Sequence, residues 1–213
     1  MRTDELVALL ANGTDAVEPY PVGRRYAVAM GWGALGAALL MALTLGVRPD
    51  IAAAARLPMF WVKLAFPAAL ALGAMVAVAR VARPGARLGR MPWALALPVA
   101  AMGLLAAITL TGTTPPASVE LLLGDTWRSC PFSIALLSIP VLVALRWAMS
   151  GLAPTRLALA GGCAGLLAGS IGALIYALHC TEMAAPFLAT WYVAGMLLPA
   201  AAGALLGPRL LRW

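Results

Sequence analysis

Charge is scarce in this 213-residue chain: 15 basic and 8 acidic side chains make up 11% of it, against 63% hydrophobic residues. Soluble domains carry roughly 25% charged residues to cover their surface. A water-soluble sphere of this size is therefore excluded, and with it a cytosolic enzyme. Cysteine is sparse too. Three thiols are too few for a disulfide scaffold, and the odd number leaves at least one unpaired within a monomer. The sequence has a single histidine and no Cys-x-x-Cys, which argues against a thioredoxin-like redox motif. No apolar run carries a carboxylate pair, which argues against a proton-coupled transporter, since those use buried acids as relays. The formal charge of +7 would suggest nucleic acid in a soluble protein. Here the arginines must first be placed relative to a bilayer, and no direct nucleic-acid partner is expected.

What the chain has instead is long apolar runs. A hydrocarbon core about 30 Å thick needs about 20 apolar helical residues, and six stretches qualify: 26–47, 60–79, 91–111, 131–148, 157–178 and 185–206. The expected fold class is an all-α integral membrane protein with six transmembrane helices. Arg48-Pro49 stops the first span, Pro92-Trp93 opens the third, and no helix continues through Pro115-Pro116. Lys63, near the start of the second span, is expected to lift its amine to the interface on its aliphatic stem. Trp127 and Trp147 are expected to anchor the ends of the fourth. Gly161, Gly165, Gly169, Ala173 and Ala177 recur every four residues in the fifth. Such a small-residue stripe lets a neighbour approach closely, so this helix is expected at the centre of the bundle.

Arginine sets the expected orientation. With the N-terminus in the cytoplasm, Arg2, Arg24, Arg25, Arg80, Arg83, Arg87, Arg90, Arg146, Arg156, Arg209 and Arg212 lie inside, eleven of the fifteen basic residues. Only Arg48, Arg56, Lys63 and Arg128 lie outside. The positive-inside bias thus puts both termini in the cytoplasm. Leu6 to Ala11 is too short for the apolar core of a cleavable signal peptide and follows Asp4-Glu5, so none is expected. The chain divides into a cytoplasmic tail, residues 1–25, and a six-helix transmembrane domain, residues 26–213.

The tail is unlike the rest, because Asp4, Glu5, Asp15 and Glu18 are half of the chain's eight acidic residues. Thr3 can cap a short helix with Asp4 and Glu5 in its first turn, Leu6, Val7, Leu9 and Leu10 at helical spacing, and Asn12-Gly13 as its stop. A helix this short is marginal alone in water and gains order by laying its apolar face on something. It could rest on lipid headgroups or on a protein. An anionic leaflet repels Asp and Glu, which favours a basic or apolar groove in a protein partner.

Chemistry is concentrated at the outer side. Cys130 enters the fourth span and Cys180 lies just past the fifth, with His179 beside it and Glu182, Asp125 and Glu120 on the same side. The two thiols and the imidazole could bind a borderline cation, the thiols could oxidise to a disulfide, or all three could be ordinary helix-end residues. Cys163, among glycines, reads as a small packing residue. Glu120 and Asp125 read as solvated.

The order of several short motifs is similar to one known family. Trp127-Arg128-Ser129-Cys130, Ala153-Pro154-Thr155, Gly165-Leu166-Leu167-Ala168-Gly169, Tyr176-Ala177-Leu178-His179-Cys180 and the ending Leu211-Arg212-Trp213 resemble the NrsF family, negative regulators of sigma F. Arg83-Pro84-Gly85 and the Met1–Leu10 opening fit as well. The resemblance implies a bacterial inner-membrane anti-sigma factor, not an enzyme. Such a protein holds an extracytoplasmic-function (ECF) sigma factor through its N-terminal segment, here Asp4, Glu5, Leu6, Leu9 and Leu10. It also implies that Cys130 and Cys180, with His179 adjacent, sense thiol-reactive stress such as heavy metals or oxidants. Thr181-Glu182-Met183 adds no further cysteine or histidine, so thiol chemistry is favoured over stable zinc binding, with no metal and no cofactor expected. The alternatives are a small membrane thiol-quinone oxidoreductase or a transporter.

Overall fold

The computed structural model describes residues 2–12, 21–82, 89–150 and 154–212. Gly13, Asp15, Glu18, Arg83-Pro84-Gly85, Arg87, Ala153 and Trp213 lie outside the described residues, as do the side chains of Leu9 and Leu10. The described residues contain helices and no strand: α1 (Thr3–Asn12), α2 (Pro21–Thr44), α3 (Ile51–Ala54), α4 (Pro58–Val81), α5 (Met91–Thr111), α6 (Pro115–Leu123), α7 (Cys130–Met149), α8 (Leu157–Tyr176) and α9 (Ala185–Leu210). Six of them, α2, α4, α5, α7, α8 and α9, are long and apolar enough to cross a membrane, as the hydropathy runs indicate.

Proline sets most starts, because its locked φ suits the first helical turn and its missing N–H has no partner there anyway. It opens α4, α5, α6, α7 and α9. The Gly112–Ser129 connection is not an open loop, since Pro115-Pro116 starts the short helix α6. The cap of α1 also differs from the Thr3 expectation. The Arg2 carbonyl accepts from the Glu5 and Leu6 amides, and the Arg2 N–H donates to Glu5 Oε2 at 3.2 Å. Arg2 is thus the cap residue, and Glu5 supplies the acidic half of a capping box.

Helix α8 is the hub and packs on α4, α7 and α9. Its glycines make this possible. A Cβ on Gly161 would stand 2.0 Å from the Gly203 carbonyl oxygen of α9, and one on Gly165 would stand 2.1 Å from that of Pro199. Further along, Ala173 and Ala177 are fully buried, so the four-residue stripe does face its neighbours. Helix α2 packs on α7, with Gly33 against Val141 and Gly36 against Pro140. One buried cluster holds Tyr26, Val81, Leu145, Met149 and Leu211; the other holds Phe66, Cys130, Ile134, Tyr176, Cys180, Phe187 and Tyr192. The outside is apolar too: Trp32, Leu43, Trp93, Leu97, Val143 and Leu205 are all more than half exposed.

Candidate functional site

The second cluster surrounds the two thiols that the sequence singles out. Cys130 is the first residue of α7. Cys180 follows the last turn of α8, where its N–H donates to the Tyr176 carbonyl at 2.9 Å. Both are free thiols, 0% and 2% exposed, and they share one contiguous core with Tyr176, Phe187, Leu188 and Tyr192. A π-helical turn, Leu188–Tyr192, interrupts α9 and carries Tyr192 into this core. Such turns concentrate at functional sites. Trp127 packs against Trp191 in a tilted pair with ring centres 5.2 Å apart, and Trp191 Nε1 donates to the Leu122 carbonyl at 2.9 Å. Trp127 therefore packs inward against the thiol core and is not a free interfacial anchor, whereas Trp147 is 54% exposed.

The chain after Cys180 has no regular structure until Ala185, so its carbonyls need donors from elsewhere. Lys63 and Arg48 supply them. Lys63 Nζ donates to the Cys180 carbonyl at 2.6 Å and to the Glu182 carbonyl at 2.8 Å, and it lies 5.5 Å from the centre of the Tyr192 ring. Arg48 Nη1 donates to the same Cys180 carbonyl at 3.3 Å, and the Arg48 backbone N–H donates to the Leu178 carbonyl at 3.1 Å. The expectation that Lys63 extends to the interface is therefore corrected: its side chain is 0% exposed and turned into the bundle. Its stem reaches a backbone that lacks donors, and two charge-assisted bonds offset what it loses by leaving water.

The other anchors around Cys180 come from two loops. His179 Nδ1 donates to the Gly46 carbonyl at 2.9 Å and its ring lies 5.7 Å from that of Tyr176, so the imidazole ties the loop after α2 to the end of α8. Glu182 Oε1 accepts the Asp125 N–H at 2.8 Å, joining the Cys180 segment to the loop that precedes Cys130. Gly124 permits that contact. Its φ is +54°, and a Cβ there would lie 2.7 Å from the Glu182 carboxylate. Arg48 holds Asp50 through two bonds of 2.7 Å. That hydrogen bond is the main cause that raises the Arg48 guanidinium and lowers the Asp50 carboxyl from their ordinary values. Asp125 and Glu120 are exposed. Among the described residues, no group of three or more His, Cys, Asp or Glu side chains could hold a metal ion. Lys63 and Arg48 are the residues that sequence reasoning passed over. The signal available for Lys63 was a lone cation one turn inside an apolar run.

The opposite end has a second anchor. Arg25, near the start of α2, donates from Nη2 to the Trp147 carbonyl at 2.8 Å and to Ser150 Oγ at 3.3 Å, with its guanidinium 4.9 Å from the Trp147 ring centre. Helix α7 thus begins at a buried thiol and ends at the root of the tail. Within the tail, Asp4, Glu5, Leu6 and Val7 are all exposed, the last two at 42% and 59%.

Six helices long and apolar enough to cross a membrane, with two buried thiols in one core near an end of the bundle, define a helical protein of the membrane-spanning type. The family model described as NrsF, negative regulator of sigma F, matches residues 10–213. This chain belongs to that family. It is 52% identical to the probable anti-sigma-F factor NrsF of Azospira oryzae and 42% identical to the anti-sigma-F factor NrsF of Caulobacter vibrioides, with 100% of each chain covered in both comparisons. No solved structure matches it.

Proposed function

We propose that this protein is an anti-sigma factor embedded in the bacterial inner membrane, with both termini in the cytoplasm and the thiol end on the outer side. The observation that carries the reading is the full-length likeness to two relatives named as anti-sigma-F factors. The apolar outer surface supports a lipid environment, since soluble proteins do not expose contiguous patches of this kind. The tail, residues 1–25, holds a sigma factor of the ECF class, with Leu6, Leu9 and Leu10 as apolar anchors and Asp4 and Glu5 as charge complements. In support, Leu6 and Val7 are exposed on a helix too short to be stable alone. Its role is regulatory and not enzymatic.

The transmembrane domain, residues 26–213, is the sensor. Cys130 and Cys180, steadied by His179, react with heavy metals or oxidants. The core around them is close-packed, so a group added to either sulfur displaces its neighbours, and packed cores respond by switching arrangement and not by bending gradually. Helix α7 offers a route to the tail, because its first residue is Cys130 and its last turn holds Arg25. Modification shifts the equilibrium only as far as it distinguishes two arrangements of that helix.

Two experiments test the reading. Full-length protein and a form lacking residues 1–24 are purified from membranes with whatever they bind. The sigma factor should accompany only the full chain, and its recovery with the truncated form ends the tail assignment. Cys130→Ser and Cys180→Ser variants should still repress the sigma-dependent promoter but lose induction by cadmium or a thiol oxidant. An unchanged dose response in both rejects the sensor assignment.

A further inference from the structure

We infer that Lys63 is a positioning residue of the thiol switch: through its two backbone hydrogen bonds it latches the Cys180–Glu182 segment shut over the Cys180 thiol. The inference rests on the sensor reading above for its purpose, but its geometry stands apart from it. Lys63 is fully buried, and its amine spends two donors on the carbonyls of Cys180 and Glu182, at 2.6 and 2.8 Å. A long side chain that could reach water at the end of its helix instead turns inward. What it finds is the stretch of chain between α8 and α9 that has no helical donors of its own. Irregular backbone at membrane depth is tolerated only where protein or water satisfies it. Lys63 and Arg48 between them occupy both lone pairs of the Cys180 carbonyl.

The same segment is fixed on its far side by the Glu182 carboxylate, which accepts the Asp125 N–H in the loop before Cys130. Lys63, in α4, therefore belongs to a frame that joins the first outer loop, the second long helix and both cysteine-bearing segments. Movement of Cys180 toward a reagent must break the Lys63 bonds first. The same requirement runs backwards: a reagent held on Cys180 favours the form in which Lys63 has let go.

The test is site-resolved alkylation. Purified full-length protein in mild detergent is treated with N-ethylmaleimide, and labelling at Cys130, Cys163 and Cys180 is followed by peptide mass spectrometry. A buried thiol reacts through opened forms, so its rate follows the local opening equilibrium. Lys63→Met keeps the length of the side chain and removes the donors. It should speed labelling of Cys180 at least about tenfold, because both charged hydrogen bonds to the buried segment are lost and one alone is worth about that much. Cys163, half-buried far along α8 from this site, should stay within about twofold of wild type, which separates a local latch from general loosening. An unchanged Cys180 rate, or equal acceleration at Cys163, overturns the latch. If Lys63→Met does not accumulate, Arg48→Met removes the other donor to the same carbonyl, and Cys180 labelling no faster than wild type in that variant also overturns it. Repression is read separately: faster Cys180 labelling together with an unchanged dose response in Cys180→Ser upholds the latch and removes the thiol-switch reading.

Discussion

Replacing Gly165 with alanine is a one-methyl test of how the bundle is held together. The new Cβ would sit 2.1 Å from the Pro199 carbonyl oxygen, 2.7 Å from its carbon and 2.8 Å from the Ala200 Cα. An ordinary carbon–oxygen approach is about 3.3 Å, so α8 and α9 must part by about 1 Å along that line. All three obstacles are backbone, so no side chain can swing away. Overpacking of this kind costs about 3 kcal/mol, the upper end of the usual range. Alanine returns about 1 kcal/mol as a better helix former than glycine. The net loss is about 2 kcal/mol, roughly a thirtyfold fall in the ratio of folded to unfolded protein. Gly31 in α2 supplies the control, because a Cβ there meets nothing within 4 Å. Gly31→Ala should collect the propensity gain of up to about 1 kcal/mol with no clash. The two variants, purified in mild detergent and titrated with sodium dodecyl sulfate while tryptophan emission is followed, should move the unfolding midpoint in opposite directions. Coincident midpoints, or a more resistant Gly165→Ala, would refute the close-packing argument.

Gly124→Ala should strain a backbone of φ +54° by about 1–3 kcal/mol and push the Glu182 carboxylate from its place on the Asp125 N–H; maleimide labelling of Cys130 should rise severalfold, and an unchanged rate would count against the cross-loop frame. The Arg48–Asp50 pair should contribute stability that is present above the ordinary Asp50 value of 3.8 and lost as pH falls through its lowered folded-state value. Because Asp50 is exposed, 0.5 M salt should flatten that acid-side slope in a detergent unfolding titration, and Asp50→Asn should abolish it.

Much of the architecture is legible in the sequence because the bilayer imposes simple rules. Twenty apolar residues in a row can satisfy their backbone in lipid only as a helix, and most helix starts fall at prolines visible by eye, whereas the first span ends at Thr44, short of Arg48-Pro49, with Gly46 at a φ of +76° just beyond it. The third run, Met91–Thr111, coincides with its helix. The last helix runs on to Leu210 beyond the expected 206, because Gly207 packs on the Leu157 carbonyl and Pro208 sits inside the terminal turn without ending it. The small-residue stripe of α8 was readable for the same reason: four-residue spacing puts its members on one face, and only close packing gives a use for a face with no side chains.

The frame around the thiols was not legible, and the reason is geometric. A hydropathy scan sees Lys63 as one unfavourable residue near the end of a favourable run, a position from which its stem can reach either the interface or the interior. The choice is set by the carbonyls of Cys180 and Glu182, more than a hundred residues away, whose lack of helical donors follows from where α8 stops and α9 begins. Arg48 presents the same difficulty. Beside Asp50 it reads as half of a local ion pair, which it is, but its other guanidinium nitrogen and its own backbone N–H serve the segment of Cys180. The cysteines could be placed at one end by counting helices, whereas the groups that hold them there come from loops the count treats as connectors. In a bundle rich in leucine and alanine, the unsatisfied backbone at a helix end directs the few charged side chains, and a buried cation then points to the stretch of chain on which movement depends.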